Sequence, residues 1–346
     1  MNKPRVAING LGRIGRTFFR MAFGNPHFDI VAINDLGEVE NLAYLLTYDT
    51  AYGRGPHHVE VEGGNLVVDG TTITFLSERD PTKLPWKDMD IDIVLESTGV
   101  FASYEKAKVH LASGAKRVVI SAPVKDDPEA AGVKGATVLM GVNDEKLATC
   151  DISSNASCTT NAASPLIAIL KESIGIEKAF LNTVHAYTST QAIVDGPNKK
   201  DFRKGRSAAQ NIIPTSTGAA VATTKAHTDL VGKFDGIAMR VPVPVGSIVD
   251  VTFLASKKTS VEEVNEVLRN AAQSPKWNEL FAVTEEPIVS SDIIGSTCAA
   301  IADLPMTRVV DGDLVKVLAW YDNETGYTSA LLKHVEKSAQ SVGKTA

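Results

Sequence analysis

The sequence of 346 residues has few cysteines, no excess of basic charge and no long apolar run. Its cysteines are Cys150, Cys158 and Cys298, and their spacing fits neither a metal site nor a disulfide framework. This pattern favours free thiols in a reducing cytoplasm. No apolar run is long enough to span a membrane, and the first residues predict a strand instead of a signal peptide. The chain also lacks repeats and low-complexity segments, so disulfide-rich, membrane-spanning and repeat architectures are excluded.

The charge balance excludes a further class of function. The net charge is −6, whereas general nucleic-acid binding needs a basic surface. Apolar residues make up 44% of the chain and charged residues 22%, as in ordinary soluble proteins. A chain of this length predicts two domains, each with its own core.

A dinucleotide-binding pattern occupies the start of the chain. Residues 5–9 predict a short buried strand, the glycine motif Gly10-Leu11-Gly12-Arg13-Ile14-Gly15 follows it directly, and residues 16–22 have helical spacing. Gly10 permits a tight turn, Gly12 lets a pyrophosphate approach the backbone, and Gly15 lets the helix pack on the strand. The helix N-terminus supplies amides to the phosphates. Asp35 ends the next predicted strand, where a carboxylate can bind the adenosine ribose hydroxyls.

Further strands near residues 91–99, 117–123 and 136–141 extend this α/β pattern. Residues 59–75 predict a pair of antiparallel strands inserted into the same domain. Together these segments predict a doubly wound, Rossmann-type domain over residues 1–157. Arg79 is either an ordinary surface charge or a contact to the adenine end of the cofactor.

Cys158 is the candidate nucleophile. It lies in a run of small polar residues, Ser153-Ser154-Asn155-Ala156-Ser157-Cys158-Thr159-Thr160-Asn161, which offers no apolar pocket. Ser157 or a neighbour can cap the helix predicted after it, and a helix N-terminus is expected to lower the pKa of a thiol. Pro165 predicts a kink or a short first helical segment. The alternative interpretation is a buried cysteine that only fills space.

His185 is the candidate base, because it ends a predicted strand and an imidazole can take the thiol proton. The connection that follows, residues 189–216, is rich in Lys and Arg. It is either a solvated loop or an anion site, and the nearby run from Pro214 to Gly218 offers hydroxyls and an amide to a phosphate. Arg240 stands within an apolar strand, where it needs a partner such as a substrate phosphate.

The remaining strands predict a second domain over residues 158–323. Residues 247–256 and 312–321 read as strands, with an amphipathic helix over 260–272 between them. Such an order predicts a mainly antiparallel sheet covered on one face. A last helix, over about 324–346, is expected to pack back on the first domain.

The chain resembles the phosphorylating glyceraldehyde-3-phosphate dehydrogenases over essentially its whole length. The most specific blocks are the Cys158 run and Asn211-Ile212-Ile213-Pro214-Thr215-Ser216-Thr217-Gly218. The glycine motif, His185-Ala186-Tyr187-Thr188, Arg240-Val241-Pro242-Val243-Pro244 and Trp320-Tyr321-Asp322-Asn323-Glu324 also match. The resemblance implies a cytoplasmic homotetramer that uses NAD and inorganic phosphate, and the composition predicts no metal site, no membrane span and no obligatory nucleic acid.

The resemblance also implies roles for individual residues. Cys158 would be the nucleophile and His185 its activating base, and Thr188 and Arg240 would hold the substrate's own phosphate. The site for inorganic phosphate would be lined by Ser157, Thr159, Thr217 and Gly218, together with Arg203 from the basic connection. The positions that match NAD contacts are Arg13, Ile14, Asp35, Arg79, Ser121 and Asn323, the last of which would hold the nicotinamide amide.

Two positions depart from the family pattern. Ala162 stands where many members have a second cysteine, so the chemistry cannot depend on a thiol there. Thr325 replaces a bulky aromatic residue, and the run Asn323-Glu324-Thr325-Gly326 resembles the erythrose-4-phosphate dehydrogenases. Erythrose 4-phosphate is therefore an alternative substrate. A non-catalytic NAD-binding redox sensor that uses Cys158 is a more remote alternative, because it would not need His185 and two anion sites.

Overall fold

The computed structural model describes residues 3–199 and 201–342 and separates them into two compact units. One unit comprises the chain up to Ala156 together with the stretch from Thr328 onward, and the other is Ser157–Tyr327. Lys200 of the basic connection and positions 343–346 of the predicted last helix lie outside the described residues. No helix in the described part of the chain is both long and apolar enough to cross a membrane.

The first unit contains the strands β1 to β11 and the helices α1 to α3. The strands, in chain order, are Arg5–Asn9, Asp29–Asn34, Tyr48–Asp49, Gly53–Arg54, Val59–Glu62, Asn65–Val68, Thr71–Leu76, Ile93–Glu96, Arg117–Ile120, Gly135–Thr137 and Ile152–Ser154. The helices are Arg13–Ala22, Val39–Thr47 and Tyr104–Ala112, with short 3₁₀ turns at Pro81–Lys83 and Asp144–Ala148.

Nine of these strands form one sheet in the order β10-β11-β9-β8-β1-β2-β7-β6-β5. The pairs from β10 to β7 are parallel, and the β7-β6-β5 edge is antiparallel. The predicted antiparallel pair over residues 59–75 is therefore three strands, and the third joins the parallel sheet beside β2. The central strands are buried apolar runs, as expected for a parallel sheet with both faces covered.

The second unit contains the strands β12 to β19 and the helices α4 to α6, and the helix α7 begins within it. The strands are Ile176–Ala186, Ile213–Ser216, Phe234–Val241, Ser247–Ala255, Phe281–Thr284, Ala300–Asp303, Arg308–Val310 and Leu314–Tyr321. The helices are Cys158–Ser173, Ala219–Thr224, Val261–Gln273 and Thr325–Val342, with 3₁₀ turns at Phe202–Gly205, Thr228–Leu230 and Leu304–Met306.

These strands form a mainly antiparallel sheet in the order β13-β14-β12-β15-β19-β17-β16, with β18 beside β19. Side chains on β15 alternate strictly between buried and half-buried positions, so one face of the sheet carries the core. The helix α4 packs on this face against β12, β15, β17 and β19. The mixed Rossmann-type and antiparallel architecture predicted from the sequence is confirmed.

Pro165 does not shorten the helix that begins at Cys158. The helix α4 runs without interruption from Cys158 to Ser173, so the predicted short first segment is wrong. Every residue from Thr159 to Leu170 is buried. Tertiary packing along the whole helix therefore stabilises it by more than it loses through the one backbone hydrogen bond that a proline removes.

Within the first unit, a histidine of α7 forms a hydrogen bond to β11, the strand at the start of the cysteine run. His334 is fully buried, and its Nε2 lies 2.7 Å from the hydroxyl of Ser153 on β11. Its Nδ1 lies 3.2 Å from Asn155 Oδ1. Burial lowers the pKa of His334 to about 3, so this histidine is neutral at physiological pH.

Candidate active site

Cys158 is the first residue of α4, and Ser157 is the capping residue before it. The Ser157 hydroxyl accepts a hydrogen bond from the Thr160 amide at 3.1 Å, and its carbonyl accepts from the Asn161 amide at 2.9 Å. Ala156, directly before the cap, has a φ of 55°, a left-handed conformation that is unusual for alanine. This turn places the half-buried thiol at the positive end of a helix.

The structure brings His185 to the cysteine. Its Nε2 lies 3.3 Å from Cys158 Sγ, although the two residues are separated by 27 positions in the chain. His185 is 2% exposed and lies near the end of β12, in register with Arg240 on β14. Its Nδ1 lies 2.6 Å from the Ala186 carbonyl oxygen. In the tautomer that carries its proton on Nδ1, that proton is donated to this carbonyl and Nε2 presents a lone pair to the thiol.

Arg240 is the third member of this cluster. Its Nη1 lies 2.6 Å from His185 Nδ1 and donates to the Ala186 carbonyl oxygen at 2.9 Å. Its Nε is buried and has no hydrogen-bond partner among the described residues. The strand β13 pairs with β14 so that Ile213 faces Arg240, which brings the Ile-Ile-Pro block beside the arginine.

The pKa values of the pair define its resting state. Burial, and then the charge of Arg240, lowers the pKa of His185 to about 3, so the resting imidazole is neutral. Burial raises the pKa of the Cys158 thiol, while Arg240 and hydrogen bonds from Thr159 oppose that increase. The sequence predicted that the helix N-terminus lowers the pKa of this thiol. That prediction is wrong, because burial raises the pKa. The resting cysteine is a thiol that needs its neighbouring base.

Tyr321 is a site residue to which sequence analysis gave no role. Its hydroxyl lies 2.9 Å from Thr159 Oγ1 and 2.8 Å from Thr183 Oγ1, and its ring packs edge-on against His185 with centroids 5.8 Å apart. Burial raises its pKa, so the phenol stays protonated. Tyr321 thereby connects the first turn of α4 with β12. It lies within the matched Trp-Tyr-Asp-Asn-Glu block, but no local pattern shows where that block packs.

The other predicted anion ligands lie on the connections that follow the strands. Thr188 stands two residues beyond the end of β12, and Thr217 and Gly218 come directly after β13. The Thr217 hydroxyl accepts from the Ala219 amide at 3.1 Å, so its hydrogen remains able to donate to an anion. Arg203 is exposed on the 3₁₀ turn Phe202–Gly205, and its backbone amide donates to Asp201 Oδ1 at 3.1 Å.

In the first unit, the glycine motif borders a cavity of about 360 Å³. Its lining includes Gly10, Gly12, Asp35, Arg79 and Thr98. A side chain at Gly10 would collide with the Thr98 backbone at 2.7 Å, and one at Gly15 with the Gly10 carbonyl oxygen at 2.1 Å. A Cβ at Gly12 would meet no atom within 4 Å, so the space beside Gly12 is open to a ligand. These observations fit a bound dinucleotide.

Asp35 is held firmly beside this cavity. Its carboxylate accepts from the Leu11 amide at 2.6 Å and from the Gly37 amide at 2.8 Å. Arg79 is exposed at the cavity wall. Arg13 and Ile14 open α1, where Arg13 pairs with Asp49, and Ser121 directly follows β9.

A buried network beneath the cavity was not recognised from the sequence. The Glu96 carboxylate is 1% exposed and accepts from Asn9 Nδ2 at 2.6 Å and from the Thr98 amide at 2.8 Å. His110 Nε2 lies 3.1 Å from the same carboxylate, and Trp86 Nε1 donates to His110 Nδ1 at 3.1 Å. These partners stabilise a buried charge under the cavity wall. The residues are distant in sequence, so no local motif marks the network.

Asn323, in the second unit, has a defined amide orientation. Its Oδ1 accepts from the Gly246 amide at 3.1 Å and from the Ser247 hydroxyl at 3.0 Å. These donors identify the oxygen and leave Nδ2 as the group able to donate to a ligand. No group of three or more His, Cys, Asp or Glu side chains in the described ranges could hold a metal ion.

Comparisons with known proteins agree across both units. Residues 4–104 match the family of the glyceraldehyde 3-phosphate dehydrogenase NAD binding domain, and residues 157–323 match that of the C-terminal domain. The chain is 47% identical over 326 residues to glyceraldehyde-3-phosphate dehydrogenase of Geobacillus stearothermophilus, covering 94% of this chain and 95% of the relative. It is 46% identical over 334 residues to the Clostridium acetobutylicum enzyme of that name, covering 95% and 96%. It therefore belongs to the glyceraldehyde-3-phosphate dehydrogenase family.

Proposed function

We propose that this protein oxidises D-glyceraldehyde 3-phosphate to 1,3-bisphosphoglycerate with NAD and inorganic phosphate, as a reaction of glycolysis and gluconeogenesis. The observation that carries the proposal is the 3.3 Å approach of Cys158 Sγ to His185 Nε2, with Arg240 beside the imidazole. A redox sensor would need the thiol but not this base and cation. The family membership and the two matched domains support the same reaction.

The side chains divide the chemistry into an oxidation and an acyl transfer. The Cys158 sulfur bonds to the aldehyde carbon as its proton passes to His185, and His185 then gives that proton to the carbonyl oxygen, which becomes the hydroxyl of a hemithioacetal. His185 then takes that hydroxyl proton as the carbon loses hydride, which leaves a thioester. Bound NAD supplies the acceptor for this hydride. An oxygen of inorganic phosphate attacks the thioester carbon, and the carbon–sulfur bond breaks to release the acyl phosphate and the cysteine.

The residues that we assign to NAD are Gly10, Gly12, Arg13, Ile14, Gly15, Asp35, Arg79, Ser121 and Asn323. The open space at Gly12 and the fixed carboxylate of Asp35 support the assignment to pyrophosphate and ribose. We assign Ser157, Thr159, Thr217, Gly218 and Arg203 to inorganic phosphate, and Arg203 carries the least support. Thr188 and Arg240 are assigned to the substrate phosphate.

NADH formation with glyceraldehyde 3-phosphate and with erythrose 4-phosphate, each with and without inorganic phosphate, tests this function. We expect efficient turnover of glyceraldehyde 3-phosphate that depends on phosphate. The relatives named above are glyceraldehyde-3-phosphate dehydrogenases, which favours this substrate over the alternative suggested by Thr325. Preferred turnover of erythrose 4-phosphate would reverse the assignment.

Replacing Arg240 with leucine should impair binding of the sugar phosphate. Because the arginine offers its charge beside His185, we expect the KM for glyceraldehyde 3-phosphate to rise by roughly thirtyfold or more, and the KM for NAD to change little. Steady-state kinetics with each substrate varied in turn will measure the two effects. Arg269→Leu, which removes an exposed arginine paired with Glu285, is the matched control. Equal increases in both KM values, or loss of folding, would contradict the phosphate assignment.

NAD should be preferred over NADP by roughly thirty- to a thousandfold in kcat/KM, equivalent to about 2–4 kcal/mol. Asp35 places a negative charge where the 2′-phosphate of NADP would lie, and Leu36 and Gly37 supply no cation. The exposed Gly196-Pro197 pair, in a loop that in this family reaches a neighbouring subunit's adenosine, offers no side-chain donor.

The preference is measured as kcat/KM for both cofactors with saturating aldehyde and phosphate. Asp35→Gly combined with Pro197→Ser should reduce the preference for NAD over NADP more than either change alone. Near-equal values for the wild-type protein would show that both positions have been misinterpreted.

We also propose a cytoplasmic homotetramer. The three described cysteines are free, which suits a reducing compartment. The sheet face opposite α4 exposes Phe180, Ile237 and Leu314 beside a cavity of about 790 Å³. The connection after β12 separately exposes Val194 and Phe202, which are 74% and 85% accessible. Two distinct apolar surfaces suit two of the symmetric interfaces that a tetramer with dihedral symmetry can form.

Light scattering after size exclusion should give a mass of about 148 kDa, four times the chain mass of 36.9 kDa. Phe180→Asp should shift this mass to that of a dimer, because the charge would be buried in one of the two interfaces. Lys257→Asp, at an exposed lysine after β15, is the control and should remain tetrameric. A monomeric wild-type protein would refute the assembly.

A further inference from the structure

We propose that Gln191 is a positioning residue for the substrate phosphate, acting through Thr188. This inference rests on the proposed function, in which Thr188 binds that phosphate. Gln191 belongs to none of the matched motifs, and sequence analysis assigned it no role.

Gln191 holds Thr188 by both its side chain and its backbone. The Thr188 amide donates to Gln191 Oε1 at 3.0 Å, and the Thr188 hydroxyl lies 3.3 Å from the same oxygen. In return, the Gln191 amide donates to the Thr188 carbonyl oxygen at 3.0 Å. Thr188 lies two residues beyond the end of β12, and its backbone amide and carbonyl both bond Gln191 instead of a neighbouring strand. The glutamine therefore supplies the support that a strand would otherwise provide.

The chemistry of these contacts fixes which way the amide faces. A backbone N–H can only donate, so the atom that faces Thr188 must be the side-chain oxygen. The Nε2 group is consequently directed away, and it is buried without a hydrogen-bond partner among the described residues. Gln191 as a whole is 5% exposed. A buried unpaired donor is unfavourable for folding, so the side chain is not explained by its contribution to stability.

The arrangement allows Thr188 to bind an anion without moving. The Thr188 hydroxyl can accept from the Thr190 hydroxyl, 2.8 Å away, and transfer its own hydrogen from the neutral Gln191 oxygen to a phosphate, which is the stronger acceptor. Oε1 then still accepts from the Thr188 amide and keeps the backbone in place. Gln191 therefore affects the phosphate end of the substrate and not the aldehyde carbon. Its contribution should disappear when the substrate carries no phosphate.

Gln191→Met tests this, because methionine has a similar length but lacks the amide acceptor. The readout is the single-turnover rate of NADH formation in phosphate-free buffer, with glyceraldehyde 3-phosphate and with unphosphorylated glyceraldehyde. Omitting inorganic phosphate prevents it from occupying the substrate-phosphate position. We expect the second-order rate for glyceraldehyde 3-phosphate to fall about tenfold. The rate for glyceraldehyde should stay within about twofold of wild type.

Two comparisons sharpen the test. Gln210→Met makes the same chemical change at an exposed position of the same connection and should alter neither rate. Thr188→Val should reduce the rate for the phosphorylated substrate, and adding Gln191→Met to it should cause little further loss, because both act on one contact. If Gln191→Met does not fold, Gln191→Asn is the second variant. Its side chain is shorter by one methylene, which moves the amide away from Thr188, and it should show the same difference between substrates.

An equal loss with both aldehydes would overturn the inference and make Gln191 merely structural, and so would an unchanged rate with glyceraldehyde 3-phosphate. Full additivity with Thr188→Val would also overturn it. If the wild-type protein forms no NADH from glyceraldehyde 3-phosphate, the proposed function itself fails. A normal wild-type rate without the substrate-dependent difference refutes only the role of Gln191.

Discussion

Cys158→Ser should abolish NADH formation from glyceraldehyde 3-phosphate while leaving the affinity for NAD within about twofold. The serine hydroxyl is a far weaker acid than a thiol and does not form the thioester that phosphate cleaves, so we expect a loss of roughly 10,000-fold or more in kcat. Serine is only slightly smaller than cysteine and keeps a polar group at the start of α4, so the variant should fold. Initial-rate assays and NAD titration will measure the two quantities.

Cys298→Ser is the matched control for this variant. Cys298 is half-buried in the same unit, and burial raises the pKa of its thiol, but no histidine contacts it within the described residues. The control should keep near wild-type turnover and should leave one thiol fewer to titrate. Substantial turnover by Cys158→Ser, or inactivation by Cys298→Ser, would show that Cys158 is not the nucleophile.

His185→Asn should slow catalysis by roughly 100- to 10,000-fold, the range expected for loss of a general base. The neutral imidazole is the group able to take the thiol proton, because its Nε2 lies 3.3 Å from Sγ and burial raises the thiol pKa. Asparagine keeps a polar side chain but is not a base. The same variant should therefore also alkylate more slowly at Cys158 near neutral pH.

Rapid-mixing measurements of NADH formation and of iodoacetamide labelling will separate these two effects. His58→Asn is the control, since the His58 side chain is 71% exposed on the first unit. A catalytic loss without slower labelling would limit His185 to the hydride-transfer step. No loss in either rate would remove it from the mechanism.

The predictions that succeeded from the sequence depend on neighbours along the chain. The strand β1, the glycines after it and the start of α1 are adjacent, so the backbone requirements of a dinucleotide site are visible locally. The cap on α4 is local for the same reason, because Ser157 bonds an amide only three residues away. Resemblance to a family then supplied the roles that spacing could not.

Several features were decided only by the folded chain. The register of β12 with β14 places His185 beside Arg240, and strand register depends on pairing between distant segments. Packing around α4 carries the helix through Pro165, against local propensity. Burial is also a tertiary property, and it raises the pKa of Cys158 although a helix N-terminus favours the thiolate.

The sequence by itself therefore determined the dinucleotide-binding motif and marked Cys158 as the candidate nucleophile, since the residues involved are adjacent in the chain. The class of reaction followed from the resemblance to a family. Tertiary structure alone decided how Tyr321 joins Thr159 to Thr183, how Gln191 holds Thr188, and how the Glu96 network forms beneath the cavity. The physical reason is that hydrogen bonds and desolvation act through space. Their partners are chosen by packing, which a local pattern does not encode.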